Sequence, residues 1–471
     1  MDNSPATDNF TALPWSGSDT SSASVAREYV VFSGNTTKQT QNLRYNLQHV
    51  LGAHNVAEYG GRYSGPQFWL VKMNDYQVGR VMTNSPGVST LSFLPEALND
   101  QARTRIETLA QGRLNFKASN LDVFPSNVSD SDNSKLGKPS DLVYQMDAPP
   151  DLKVVSWPRV SSLIDLKYYT YDKNGGQNSV IYVVENGIDP QNPEFDDHPM
   201  SWLYAPSVVP IPTDDDVDEH GSCVTSRAVG EKIGVSKRTP LIIVKSALVV
   251  SDIIWAFQAI LDEIAAHPNR RAVVMLAFGS TYQANPSWAW IPQPWRRLQV
   301  LMGEAIIADA VIVVSSGNAK NGAERRWVDQ YPGLFTNSGT GQLPLTLVGA
   351  VDNTGLEAYF SQESFYVKAY APGVGVECAQ FGQTGVKSGT SISVGMVAGL
   401  AAYFLGFPNP PFAVGGGRTA ENFNNFLQNT ASWSRLGRGE PNMIWNLQDG
   451  SSIPLSLNMS NSSVSSKLEA V

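Results

Sequence analysis

Four polar side chains stand at the ends of strands, loops or helices read from the sequence, in the chain order Glu185, His220, Asn318 and Ser391. Glu185 closes the run in VIYVVENGID (180–189), which reads as a buried strand ending in a turn on a carboxylate. A buried charge at a strand end is costly unless something pairs with it. His220 opens HGSC (220–223), directly after the acidic run DDDVDE. Asn318 ends SSGN (315–318), and Ser391 lies in SGTSIS (388–393) at the head of VGMVAGLAAYFL. A carboxylate, an imidazole and a hydroxyl, each on its own loop, are the components of nucleophilic acyl transfer. An Asn amide, with backbone N–H groups at a helix start, suits a developing oxyanion. Each piece alone is ordinary: a Ser at a helix start is usually a cap, and the acidic run reads as a solvated loop rather than a metal site. Their order, each at the end of an element, is what points to catalysis.

The elements that must position them follow from the apolar pattern. SVIYVV (179–184), PLIIVKS (240–246), RAVVMLAF (271–278), AVIVVSS (310–316) and LPLTLVGAV (343–351) are continuous apolar runs separated by amphipathic stretches such as 251–267. That pattern predicts an α/β fold, a parallel sheet with helices on both faces, whose function sits at the carboxyl ends of the strands. VGMVAGLAAYFL is apolar all round and reads as a buried helix, with Gly395, Ala398 and Gly399 admitting close neighbours. Upstream, EYVVF, a helix with Leu43, Leu47, Val50 and Leu51 on one face, strands near 56–59 and at 67–73, a helix over 75–82 and a strand at 88–93 give the order βαββαβ, a split-βαβ (ferredoxin-like) domain. The expected organisation is a flexible leader (1–27), this small domain (28–98), a polar, Pro-rich linker (99–150), the large domain (151–430) and a Ser- and Asn-rich tail (431–471).

Composition narrows the function classes. The chain has 471 residues, 42% hydrophobic and 16% charged, with a net charge of −9. That balance describes a globular protein of more than one domain and offers no basic stripe to nucleic acid. No apolar run reaches the length of a membrane span, and no Gly-rich phosphate loop follows the first strand of the large domain. MDNSPATDNF carries no signal-peptide apolar core. Cys223 and Cys378 leave one bridge or two free thiols open.

Read together, these segments resemble the subtilases, the subtilisin-like serine peptidases, over roughly 155–410. VIYVVENGID resembles the family's catalytic-Asp strand, HGSCVTSRAVGEKIGVSKRTPLIIVK its catalytic-His segment in the filamentous-fungal branch, SSGN its oxyanion motif and SGTSISVGMVAGLAAYFL its nucleophile segment. The resemblance implies Ser391 as nucleophile, His220 as general base and acid, Glu185 as the group orienting the imidazole, and Asn318 with the Ser391 N–H as oxyanion hole. It also implies a primary specificity pocket lined by Ala277, Phe278, Gly279, Ser315, Ser316 and Gly317. The small domain resembles a subtilase propeptide, which implies a zymogen inhibited by its own N-terminal domain, a maturation region at 99–150 and a secreted monomer acting on polypeptides. Structural calcium is common in the family, but no ligands are assignable, and no other cofactor or metal is implied. Four departures cluster at the site: Glu185 for Asp, Asn186 for Thr or Ser, Ser393 for Ala and Gly395 for Pro. Met275 stands where the family tends to have Asn. One extra methylene at Glu185 displaces the carboxylate by about 1.5 Å on an unchanged backbone, and a misplacement of about 1 Å is worth roughly 100-fold in rate. The alternative is therefore a catalytically impaired homologue that binds peptides or a partner.

Overall fold

In the computed structural model, the described residues are 27–32, 37–61, 65–74, 77–78, 80–81, 85, 90–93, 141–159, 161–280, 293–319, 327–336, 342–437 and 439–451. The expected leader, apart from Arg27, most of the linker and the end of the tail lie outside them. The chain divides into two compact units, the smaller drawn from residues 1–57 and 69–94.

The N-terminal strands are β1 (Arg27–Phe32), β2 (Val56–Gly61), β3 (Gly65–Met73) and β4 (Thr90–Phe93), with α1 (Thr37–Leu51) between the first two. They form one sheet in the order β2-β3-β1-β4, the order a split βαβ requires. The apolar face read from the sequence is the buried one: Leu43, Leu47 and Leu51 join Val31, Trp69, Val71 and Met73 in a core, with Val50 partly buried against it. Residues 77–78 and 80–81 are helical, behind a reciprocal cap in which the Asn74 and Gln77 side chains each accept the other's backbone N–H at 2.9 Å.

In the large unit β5 (Leu142–Gln145) pairs with β6 (Tyr169–Asp172). A nine-stranded sheet follows: β7 (Ser179–Glu185), β8 (Met200–Tyr204), β9 (Leu241–Lys245), β10 (Arg271–Leu276), β11 (Val311–Ser315), β12 (Thr346–Val351), β13 (Val367–Pro372), β16 (Ser432–Ser434) and β17 (Asn442–Ile444), in the order β16-β17-β13-β12-β11-β10-β7-β9-β8. β14 (Val376–Gln380) and β15 (Gln383–Lys387) make a separate hairpin. Among the described residues, the strands of the large sheet pair in parallel except β16 with β17. Two of the expected boundaries move. The large domain does not stop at 430, because β17 pairs with β13 through Tyr370 and Met443. It also does not start at 151, because β5 draws 142–145 out of the linker.

Strand residues alternate between faces. Ile181, Val183, Ile243, Val273, Met275 and Val313 share a core with α5 (Thr390–Leu405), while Tyr182, Val184, Ile242, Val274 and Ile312 are as fully buried on the other side. α3 (Val250–Ala266) and α4 (Gln293–Ile307) pack together and reach β7 and β11 respectively, α2 (His220–Val229) packs on α5, and α6 (Thr419–Asn429) lies by β13. Apart from Ser391, α5 is buried throughout. Its glycines are a packing requirement: a Cβ at Gly395 would collide with the Val224 carbonyl, and one at Gly399 would stand 2.6 Å from the Ala228 oxygen. Those two close approaches fix the helix carrying His220 against the helix carrying Ser391. Among the described residues no helix is long and apolar enough to cross a membrane.

Candidate active site

Because the strands run parallel, Glu185 at the end of β7, Ser315 at the end of β11 and the residues just past β9 and β10 share one edge of the sheet. Glu185 is fully buried there, and its Oε1 lies 3.2 Å from Nδ1 of His220, the first residue of α2. The contact has ion-pair distance but not the angle of a directed hydrogen bond, and neither carboxylate oxygen has another hydrogen-bond donor among the described residues. The displacement expected from the extra methylene is thus taken up locally. α2 nevertheless stays close to the strand, since a Cβ on Gly221 would meet the Gly187 carbonyl and sit 3.2 Å from the Glu185 Cβ.

The acidic run before His220 is a surface loop, with Asp215, Val217 and Asp218 exposed, but two of its aspartates also make structural contacts. The Asp214 carboxylate accepts the Ser222 N–H at 2.9 Å and the Ser222 hydroxyl at 2.7 Å, capping the start of α2. Burial pushes the Asp214 carboxyl up to about 6. Asp215 pairs at 2.8 Å with Lys245, a fully buried lysine set in register beside Glu185. A cap and an anchor, both invisible in the composition, hold the loop that leads into His220.

Ser391 is the second residue of α5, and Asn318 lies three residues beyond β11. Both the Thr390 N–H, at 2.9 Å, and its hydroxyl, at 2.8 Å, donate to Asn318 Oδ1. With its oxygen so occupied, the amide has only Nδ2 left to offer. Cys223 on α2 and Cys378 on β14 form a disulfide, resolving the open pairing. The bridge packs on Ile392, next to Ser391, and so ties the His220 helix to the hairpin that leads into α5. Ser393 is satisfied in the core through the Ala371 carbonyl at 2.9 Å, and Met275 is a core residue of β10.

A cleft of about 500 Å³ collects these groups. His220, Ser391 and Asn318 line it, as do Ala277, Phe278, Gly279, Ser315 and Gly317. Two residues expected at the site are not on its wall. Glu185 stands behind the imidazole, and Ser316 is fully buried, its N–H bonded to the Val348 carbonyl at 2.9 Å, so it is withdrawn from the pocket lining. The cleft gains Leu248 and Gln330, which the sequence did not single out, and Asp216 from the acidic run. Gln330 lies against both walls: a Cβ on Gly279 would collide with its Oε1, and one on Gly317 would come within 3.4 Å of that oxygen. Among the described residues no group of three His, Cys, Asp or Glu side chains is placed to hold a metal ion.

Burial lowers the His220 pKa, but the Glu185 carboxylate, with Asp216 and Asp214 behind it, outweighs burial and holds it above its ordinary 6.5. The neutral imidazole, which any proton-accepting role needs, therefore forms only at higher pH. Any reaction in which His220 accepts a proton should therefore fall off on its acid side with an apparent pKa above 6.5, read from a pH–rate profile. The stability contributed by the charged pair runs the other way: it is complete below the unfolded value near 6.5 and fades as pH rises through the higher folded value.

The family model described as the subtilase family matches residues 176–452 of this chain. Subtilisin-like protease 3 of Pseudogymnoascus destructans is 28% identical over 279 residues, which are 56% of this chain and 61% of that protein. The cuticle-degrading serine protease of Arthrobotrys oligospora is 28% identical over 59% of this chain and 63% of its own length. The chain thus spans about 60% of the length of these two relatives. A cold-adapted subtilisin-like serine proteinase of known structure superposes with a TM-score of 0.50 at 19% identity, covering 64% of this chain and 100% of that one, a likeness of fold.

Proposed function

The chain belongs to the subtilase family, and from that premise we propose that it is a serine endopeptidase cleaving peptide bonds through an acyl-enzyme on Ser391. The supporting observation is the Glu185–His220 contact at the back of the cleft that Ser391 and Asn318 line. With Nδ1 turned to the carboxylate, Nε2 is the nitrogen left to take the Ser391 proton as the serine oxygen attacks the carbonyl carbon. The carbonyl oxygen then carries the charge, and Asn318 Nδ2 with the Ser391 N–H receives it. Collapse breaks the C–N bond, and the proton on His220 leaves with the amine. Water repeats the sequence on the ester, returning the proton to Ser391. The alternative, a subtilase that binds peptides without cutting them, is favoured by one observation: neither Glu185 oxygen accepts a well-directed hydrogen bond. A fluorophosphonate probe separates the two. Peptide mapping should find the label on Ser391, and a folded protein that takes none would sink the catalytic reading.

Gln330 bears on the substrate. Its carboxamide between Gly279 and Gly317 fills part of the primary pocket and favours small or uncharged polar side chains there. Gln330→Gly should raise kcat/KM for a Phe-containing peptide over its Ala counterpart by about tenfold or more, read from a matched peptide series. The N-terminal unit is proposed as the inhibitor of the same site. Self-cleavage would fall between about 94 and 141, ahead of β5, and intact mass after expression reads it directly. The disulfide supports residence in an oxidising compartment, and hence export.

A further inference from the structure

The residues flanking Asn318 meet at one buried side chain. Gln362, in the connection between β12 and β13, has no exposed surface. Its backbone N–H donates to the Gly317 carbonyl at 3.0 Å, and its Oε1 accepts the Ala319 N–H at 3.4 Å, so it holds the chain on both sides of Asn318. Its Nε2 donates to the Trp327 carbonyl and to Asp329, each at 2.9 Å. Gly317 takes φ +101°, and a Cβ there would collide with Gln362 Oε1, so the left-handed turn is built against this carboxamide. Asn318 itself is exposed, and among the described residues its side chain is held by the hydrogen bonds from Thr390. An amide anchored through one atom aims its other atom correctly only if its own backbone is fixed.

We propose that Gln362 is the positioning residue of the oxyanion hole, holding the turn at Gly317 and Ala319 so that Asn318 Nδ2 meets the charge formed in the transition state. The inference rests on the serine-peptidase reading above. Asn318 contributes only once the carbonyl oxygen becomes an oxyanion, so a displaced turn lowers kcat and leaves KM nearly alone. Gln362→Met keeps the length and removes every side-chain hydrogen bond, and a shift of about 1 Å in the donor is worth roughly 100-fold.

The experiment is a double-mutant cycle between Gln362→Met and Asn318→Ala, with kcat and KM on one peptide and thermal melts throughout. Asn318→Ala should lose about 100- to 1,000-fold in kcat, a range measured on the equivalent donor of subtilisin, a relative in this family, and not obtained from this geometry. Gln362→Met should lose roughly 10- to 100-fold in kcat with KM within about twofold, and nothing further once Asn318 is already Ala. Equal losses in both backgrounds, or a change confined to KM, would overturn the assignment, since a residue that merely stabilises the fold has no reason to depend on Asn318. If Gln362→Met does not fold, Gln362→Glu takes its place, setting a carboxylate against the Trp327 carbonyl and Asp329, with the same expectations. A wild-type protein with neither turnover nor label at Ser391 overturns the serine-peptidase reading and this one together; with a wild type that turns over, the cycle tests Gln362 alone.

Discussion

Ser391→Ala and His220→Ala should each lower kcat by about a million-fold, and the double variant should be no worse than either single one. That magnitude was measured on subtilisin, within this family, and is carried over rather than obtained from the distances here. The non-additivity is the part the present site dictates. The Ser391 hydroxyl is a weak nucleophile unless His220 takes its proton, and that same proton is the one His220 passes to the leaving amine, so neither residue works in acylation without the other. Stability separates the two variants. Removing His220 takes away the partner of the buried Glu185, a loss of roughly 3 kcal/mol near neutral pH. Ser391 is half-buried at the cleft and leaves no charge behind, so its variant should melt with the wild type. Turnover of a chromogenic peptide, with thermal melts of each variant, reads both. Additive losses would mean that the serine and the imidazole do not act in one step.

What could be read from the sequence was what periodicity carries. Strands buried on both faces appear as unbroken apolar runs, and Glu185 and Asn318 stand just where two such runs end, so the edge of the sheet was legible before its strand order was. The small strands β16 and β17 were not. SWS and NMI are too short and too mixed to show a period, and they exist because Met443 finds Tyr370, far away in sequence. The acidic run was legible in part for a related reason: a row of aspartates reads as a solvated loop, but not that one of them caps a helix start and the next meets a buried lysine. Gln330 and Gln362 lie in stretches without apolar pattern, and a neutral amide advertises nothing until its neighbours are known. Glu185 shows the limit from the other side. Side-chain length suggested a displaced carboxylate, but the gap to His220 depends also on the seating of α2 and on how the side chain bends, and neither can be counted along the chain.

The carboxylate behind His220 gives the sharpest test, because charge and reach can be changed separately. Glu185→Gln keeps the length, removes the charge and can turn an N–H towards Nδ1, favouring the tautomer that leaves Nε2 protonated and unable to accept from Ser391. A loss of about ten-thousand-fold in kcat is expected, the size seen when a triad carboxylate becomes an amide in another serine protease. The acid limb of the pH profile should move down as well, since burial lowers the His220 pKa and the largest opposing influence is gone. The same variant should be no less stable than wild type above the His220 pKa, because it replaces a buried charge that has no directed hydrogen bond with a neutral group. Glu185→Asp keeps the charge but withdraws it by about 1.5 Å from a contact now at 3.2 Å. It should lose roughly 10- to 100-fold, with an acid limb nearer to wild type than that of Glu185→Gln. The expected order of activity is therefore Glu, then Asp, then Gln. If Asp at 185 outperforms Glu, the contact at Nδ1 is not the working one, and this chain carries its carboxylate at a length its site was not shaped to use.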